Sequence, residues 1–252
     1  MDESAKLAPV GDDLENPPVV SPQPEDKMPP VPKIAWGDAD MLELSRDTTW
    51  FISHDFEGHE LGDYFDARRH IPILYSLALN CCWGEPRLPA PVRPPMALEI
   101  GVRHGVTTMA ILTAMREANG LLTSVEIDPY AAEATRRRVE AAGLLPWWDL
   151  KVMDCREYAK QARPYFDFAW IDGDHSEEMA RHDATVFGAL VRPNGILALH
   201  DFFGWPDPDG NYPGLPERTG VTAVVEELKA SPQWEVITLS WSFGCTICRK
   251  VG

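Results

Sequence analysis

The segment Leu98-Glu99-Ile100-Gly101-Val102-Arg103-His104-Gly105-Val106-Thr107-Thr108 constrains the fold of this chain more than any other. An apolar run closes on an acid, two glycines four apart follow, and a helix-compatible stretch comes next. A second apolar run, Leu122-Thr123-Ser124-Val125-Glu126-Ile127, then closes on acids of its own, Glu126 and Asp128. That order is the opening of a nucleotide-binding βαβ unit. The glycines let the backbone turn tightly and approach a ligand, the helix N-terminus offers unpaired N–H groups, and the acid after the second strand can accept from ribose hydroxyls. The spacing argues against a dinucleotide. A G-x-G-x-x-G fingerprint starting at Gly101 would need glycines where Arg103 and Val106 stand, and no Gly-Lys-Ser/Thr follows the first strand to make a P-loop. A ligand without a pyrophosphate fits better.

From Met96 onward, strand and helix patterns alternate. Strands are expected at Met96 to Ile100, Leu122 to Ile127, Asp149 to Met153, Phe166 to Ile171 and Gly195 to Leu199, with two more at Trp234 to Leu239 and Phe243 to Lys250. Helices are expected from Gly105 to Asn119, after the Asp128 N-cap and Pro129 up to Gly143, from near Ser176, and from Val221 to Lys229. This pattern predicts an α/β fold: a doubly wound, mostly parallel seven-stranded sheet with a C-terminal antiparallel hairpin. Residues 1 to 33, rich in Pro, Asp and Glu with almost no aromatics, read as a disordered tail, and a proline-rich docking motif is the alternative. Residues 34 to 95 read as a helical cap over the sheet edge or the pocket, and residues 96 to 252 as the ligand-binding domain.

Composition narrows the partners. A formal net charge of −16 with no basic stripe repels phosphate backbones, so nucleic acid and anionic membrane are poor partners and a small-molecule substrate is favoured. No apolar stretch approaches the roughly 20 residues of a membrane span, and Met1 to Val10 lacks the features of a signal peptide. The five cysteines, an odd number in a mid-sized chain, suit free thiols and a cytoplasmic setting. The oligomeric state is left open.

The pattern Glu99-x-Gly101-x-x-x-Gly105 followed by Glu126 resembles motif I and the ribose-binding acid of class I S-adenosylmethionine-dependent methyltransferases, with Arg103 at the family's middle glycine. The stretch Phe168 to Glu178, with Gly195 to Asp201 after the next strand, looks like the small-molecule O-methyltransferase and cephalosporin-hydroxylase-like subfamily. The resemblance implies a Rossmann-like fold and S-adenosylmethionine as cofactor. Glu126 would then accept from the ribose diol and the Gly101 to Gly105 loop would meet the methionine part. Glu99 would orient that loop or the cofactor's amino group. Asp154 would meet the adenine amino group, with an N-cap for the following helix as the other reading.

Ligands in open α/β sheets bind at the carboxyl ends of strands. There this chain sets Asp172-Gly173-Asp174-His175 and His200-Asp201. Asp172, His175, His200 and Asp201 are the candidates for base and metal roles. In related O-methyltransferases the matching acids hold a divalent cation such as magnesium, which makes Asp172 and Asp201 the candidate ligands. His200 stands where an acid is usual. If a histidine compensates the two acids instead, activity should follow one ionisation near pH 6 to 7. Cys245-x-x-Cys248 reads as strand packing, since positions three apart face opposite sides. The loop Trp205 to Pro216 reads as a substrate lid. A nicotinamide dehydrogenase, a cephalosporin-hydroxylase-like oxidation and a non-catalytic cofactor-binding partner protein are the rival readings.

Overall fold

A computed structural model of the chain describes residues 67–83, 93–103, 105–162, 165–202, 219–239 and 244–252. The elements in order are α1 (Ala67–Trp83), β1 (Met96–Ile100), α2 (Val106–Glu117), β2 (Leu121–Glu126), α3 (Pro129–Ala141), a 3-10 turn (Leu145–Trp147), β3 (Trp148–Val152), α4 (Cys155–Ala159), β4 (Phe166–Ile171), α5 (Glu177–Leu190), β5 (Val191–Leu199), α6 (Gly220–Ala230), β6 (Trp234–Leu239) and β7 (Cys245–Lys250). They build one seven-stranded sheet in the order β3-β2-β1-β4-β5-β7-β6. β1 pairs in parallel with β2 and β4, and β7 runs antiparallel to both β5 and β6. The expected mixed sheet is present, with β7 inserted between β5 and β6. Strand order reverses between β1 and β4, so the carboxyl ends of those two strands flank the crevice of the fold.

Local chemistry explains the helix limits. Asp128 caps α3 by accepting from the Tyr130 N–H, and Pro129 occupies the first turn, where its missing N–H costs nothing. Gly143, at φ +68°, ends that helix in the left-handed conformation. Ser176 caps α5 through the Met179 N–H. The central strands β1, β4 and β5 are mainly buried and apolar on both faces because both faces are covered there. Ala97, Phe168, Trp170, Ile196 and Ala198 face a core closed by α1 and α2, whereas Leu98, Ala169, Ile171, Leu197 and Leu199 face one closed by α5 and α6. Each large apolar side chain fully buried there contributes about 1.5–3 kcal/mol relative to exposure. Cys245 lies in the first core and Cys248 in the second, as their three-residue spacing requires.

Two sequence expectations shift. β5 begins at Val191 rather than at Gly195, because Pro193-Asn194-Gly195 forms an irregularity inside the strand instead of the turn before it: Phe166 pairs with Val191 but Phe168 already pairs with Ile196. Of the expected helical cap, α1 lies on the sheet alongside α2 and reaches β4 and β5. It is tied there by the Tyr75 hydroxyl, which donates to Glu117 at 2.6 Å, and by Arg192, which donates to the Cys81 carbonyl at 2.8 Å. The acidic tail 1–33, the loop Trp205 to Pro216 and Phe243 lie outside the described residues. Among the described residues no helix is long and apolar enough to cross a membrane.

Candidate active site

The loop after β1 needs left-handed backbone at three positions. Gly101 has φ +85°, Arg103 +43° and Gly105 +73°. A Cβ on Gly101 would stand 2.3 Å from the Asp172 carbonyl oxygen, so only glycine fits this approach of the β1 loop to the β4 loop. Arg103 adopts the conformation that a glycine would take freely, at a cost of about 1–2 kcal/mol. Glu126 compensates by holding the loop from below. Its Oε2 accepts the N–H groups of Val102 and Arg103 at 2.9 and 3.1 Å, and its Oε1 accepts that of Asp128 at 2.9 Å.

Glu99 is fully buried and accepts from the hydroxyls of Thr107, Thr108 and Ser124 at 2.7–2.8 Å. Burial outweighs those three hydrogen bonds and pushes its carboxyl up to about 7. These bonds tie the start of α2, directly after the glycine loop, to β2. Asp154 displays its capping role, accepting from the Arg156 N–H and pairing with the Arg156 guanidinium at 2.6 Å, and the guanidinium holds it at about 2.

At the ends of β4 and β5 the four expected residues converge. His200 Nδ1 lies 3.2 Å from Asp172 and 3.1 Å from Asp201, and His175 lies 3.4 Å from Asp172 and 3.1 Å from Asp201. Two acids and two histidines therefore interleave. Burial pushes the Asp172 carboxyl up, but the two histidines more than reverse this and hold it well below the usual carboxylate range. Burial pushes both histidines down, and the acids again reverse it, raising His175 and lifting His200 to about 10. The ligand atoms of Asp172, His175 and Asp201 lie within 4.8 Å of one another, a set able to hold a metal ion. His175 joins the two acids named from the sequence in that set.

Several contributors were missed in the sequence. The Thr219 hydroxyl donates to the Asp201 carbonyl and the Gly220 N–H to the His175 carbonyl at 3.0 Å, so the start of α6 fixes the backbone of both loops. A Cβ on Gly220 would stand 2.0 Å from the Glu177 N. Asp201 itself sits at φ +58°, a strained value for a residue with a Cβ. Beside the Glu126 end, Ile127 (68%), Tyr130 (86%) and Val152 (51%) are exposed large hydrophobics. An apolar residue left in solvent directly after a strand-end acid was the readable signal for that surface.

Comparison with known proteins agrees with this fold. Residues 98–202 match the model of a family described as a methyltransferase domain. No curated protein matches the chain. Among solved structures, the O-methyltransferase TomG of Streptomyces achromogenes, involved in tomaymycin synthesis and in complex with SAM, is 18% identical, with a TM-score of 0.56 over 73% of this chain and 80% of that one. The O-methyltransferase of Bacillus cereus in complex with SAH is 16% identical, with a TM-score of 0.57 over 86% and 93%. The SAH-bound methyltransferase PaMTH1 of Podospora anserina is 18% identical, with a TM-score of 0.59 over 86% and 89%. At these identities the likeness establishes a shared fold.

Proposed function

Given that residues 98–202 are a methyltransferase domain of the class I fold, we propose that the protein transfers a methyl group from S-adenosylmethionine to a hydroxyl oxygen of a small molecule, assisted by a divalent cation such as magnesium. The observation that carries this reading is the convergence of Asp172, His175, His200 and Asp201 through contacts of 3.1–3.4 Å, beside the glycine loop, whose Gly101 packs against the Asp172 backbone. The donors present fit both groups. For the cofactor, the left-handed glycine loop lets backbone approach closely, and Glu126 Oε1, which takes a single N–H, keeps acceptor capacity. Ile127 and Val152 offer apolar surface of the kind an adenine covers. For a cation, Asp172, Asp201 and His175 supply the ligands.

When bound, S-adenosylmethionine supplies an electrophilic sulfonium methyl, and the cation lowers the proton affinity of the acceptor hydroxyl. The chain's own residues position and deprotonate. The Glu126-held loop fixes the methyl donor's site, and the β4 and β5 loops, pinned by Thr219 and Gly220, hold the acceptor oxygen in line. With the cation held by His175, the proton of the hydroxyl leaves to water; in a cation-free site His175, the more exposed of the two histidines, takes it when its Nδ1 or Nε2 is free of one. A net charge of −16 supports a small acceptor over nucleic acid, and free Cys81, Cys155, Cys245 and Cys248 suit the cytoplasm.

The test is a methyl-transfer screen against sugars, phenols and carboxylates, with magnesium or with chelator. Transfer to a hydroxyl class that chelator abolishes and magnesium or manganese restores is expected. Products heavier by one oxygen in place of a methyl would overturn the reading, as would cofactor binding without transfer to any acceptor.

A further inference from the structure

Behind the Gly173 loop lies a second cluster that the proposed reaction does not use. Cys155, the first residue of α4, and His182 and Asp183, from the middle of α5, bring one thiol, one imidazole and one carboxylate together. Asp183 Oδ1 lies 2.9 Å from His182 Nδ1 and 3.4 Å from Cys155 Sγ, and the three ligand atoms all fall within 4.8 Å of one another. We propose that Cys155, His182 and Asp183 bind a zinc-type divalent cation that staples α4 to α5.

The donor set selects the ion. Thiolate and imidazole suit zinc and cobalt, whereas magnesium and calcium take oxygen ligands. The separations suit it as well. Four-coordinate zinc, about 2.0 Å from N and O and about 2.3 Å from S, sets its ligand atoms roughly 3.3–3.6 Å apart, so side-chain movements of roughly 1 Å complete the site. Asp183 is 1% exposed, and a carboxylate that deep is stabilised better by a cation than by a thiol and one ring nitrogen. The half-buried His182 leaves a path from solvent and a fourth position for water. Its ring is held edge-on against buried Phe187 at 6.3 Å, which fixes the direction of Nδ1. On binding, the Cys155 thiol gives its proton to the buffer, His182 presents the Nδ1 lone pair with its proton on Nε2, and no redox change occurs.

Cobalt titration of the full-length protein tests this, because a thiolate ligand gives a charge-transfer band in the near ultraviolet that oxygen and nitrogen ligands do not. The expected result is a band that saturates at one cobalt per chain, is abolished by zinc and survives a large excess of magnesium. Asp172→Asn should keep the band, Cys155→Ser should lose it, and His182→Ala should weaken cobalt binding at least tenfold. Zinc should raise the melting temperature of the unsubstituted protein by several degrees more than that of Cys155→Ser, which keeps only the Asp172, His175 and Asp201 set. Absence of the band, its survival in Cys155→Ser, or unchanged affinity in His182→Ala would each overturn the proposal and leave a hydrogen-bonded triad. If Cys155→Ser fails to fold, His182→Ala decides alone, since its position is partly exposed.

Discussion

Val102 donates its backbone N–H to Glu126 Oε2 at 2.9 Å, which makes the glycine loop and the acid at the end of β2 a single hydrogen-bonded unit. The same oxygen takes the Arg103 N–H, so the residue forced into left-handed backbone is held by the acid assigned to the ribose. On the proposed reading, cofactor binding and loop conformation would be coupled through this one side chain.

Glu126→Ala should weaken S-adenosylmethionine binding by more than tenfold and lower the melting temperature together. Charge-assisted hydrogen bonds of about 1.5–3 kcal/mol each are removed from both loop and ligand. Calorimetry is the check, and an unchanged affinity would place the ribose elsewhere.

Gly101→Ala should destabilise the protein by roughly 3 kcal/mol or more, because the added methyl must displace the Asp172 carbonyl and the residue keeps a positive φ. Urea denaturation measures this. Activity should fall further than the unfolded fraction explains, since the displaced group belongs to the β4 loop.

Glu99 makes stability depend on pH in a defined window. Its folded value is about 7 against the ordinary 4.5, so between those values the folded state binds more protons than the unfolded one. The stabilisation is complete below 4.5 and is lost as pH rises toward 7, by on the order of 3 kcal/mol. Glu99→Gln, which can keep hydroxyl partners, should flatten that slope. Denaturation at pH 5 and pH 8 would show it, and an unaltered slope would remove Glu99 as the cause.

His200 should stay protonated through neutral pH in metal-free protein. With a folded value near 10 against an ordinary 6.5, its contribution to stability is full below 6.5 and is lost as pH rises through about 10. This differs from the ionisation near pH 6 to 7 expected from an ordinary histidine. Nitrogen chemical shifts of the ring should not titrate between pH 6 and 8, and a midpoint inside that range would mean that the acids do not hold it as described.

What the sequence by itself determined is what near neighbours decide. Met96 to Ile100, Phe166 to Ile171 and Trp234 to Leu239 are strands at the expected bounds. Asp128, Pro129, Gly143 and Ser176 set helix limits through contacts a few residues away, and the strand-end acids follow from the alternation itself. Tertiary structure decided the rest. Pro193-Asn194-Gly195 became an irregularity inside β5 because Phe166 had to meet Val191 across the sheet. The four-way contact among Asp172, His175, His200 and Asp201 depends on β4 and β5 being neighbours, and its backbone frame depends on Thr219 and Gly220 arriving from α6. Asp183 meets Cys155 only because α5 folds back over the start of α4. Capping and alternation are energies of residues within a turn or two of one another. These contacts join residues tens of positions apart, and only the burial of both sheet faces brings them within reach.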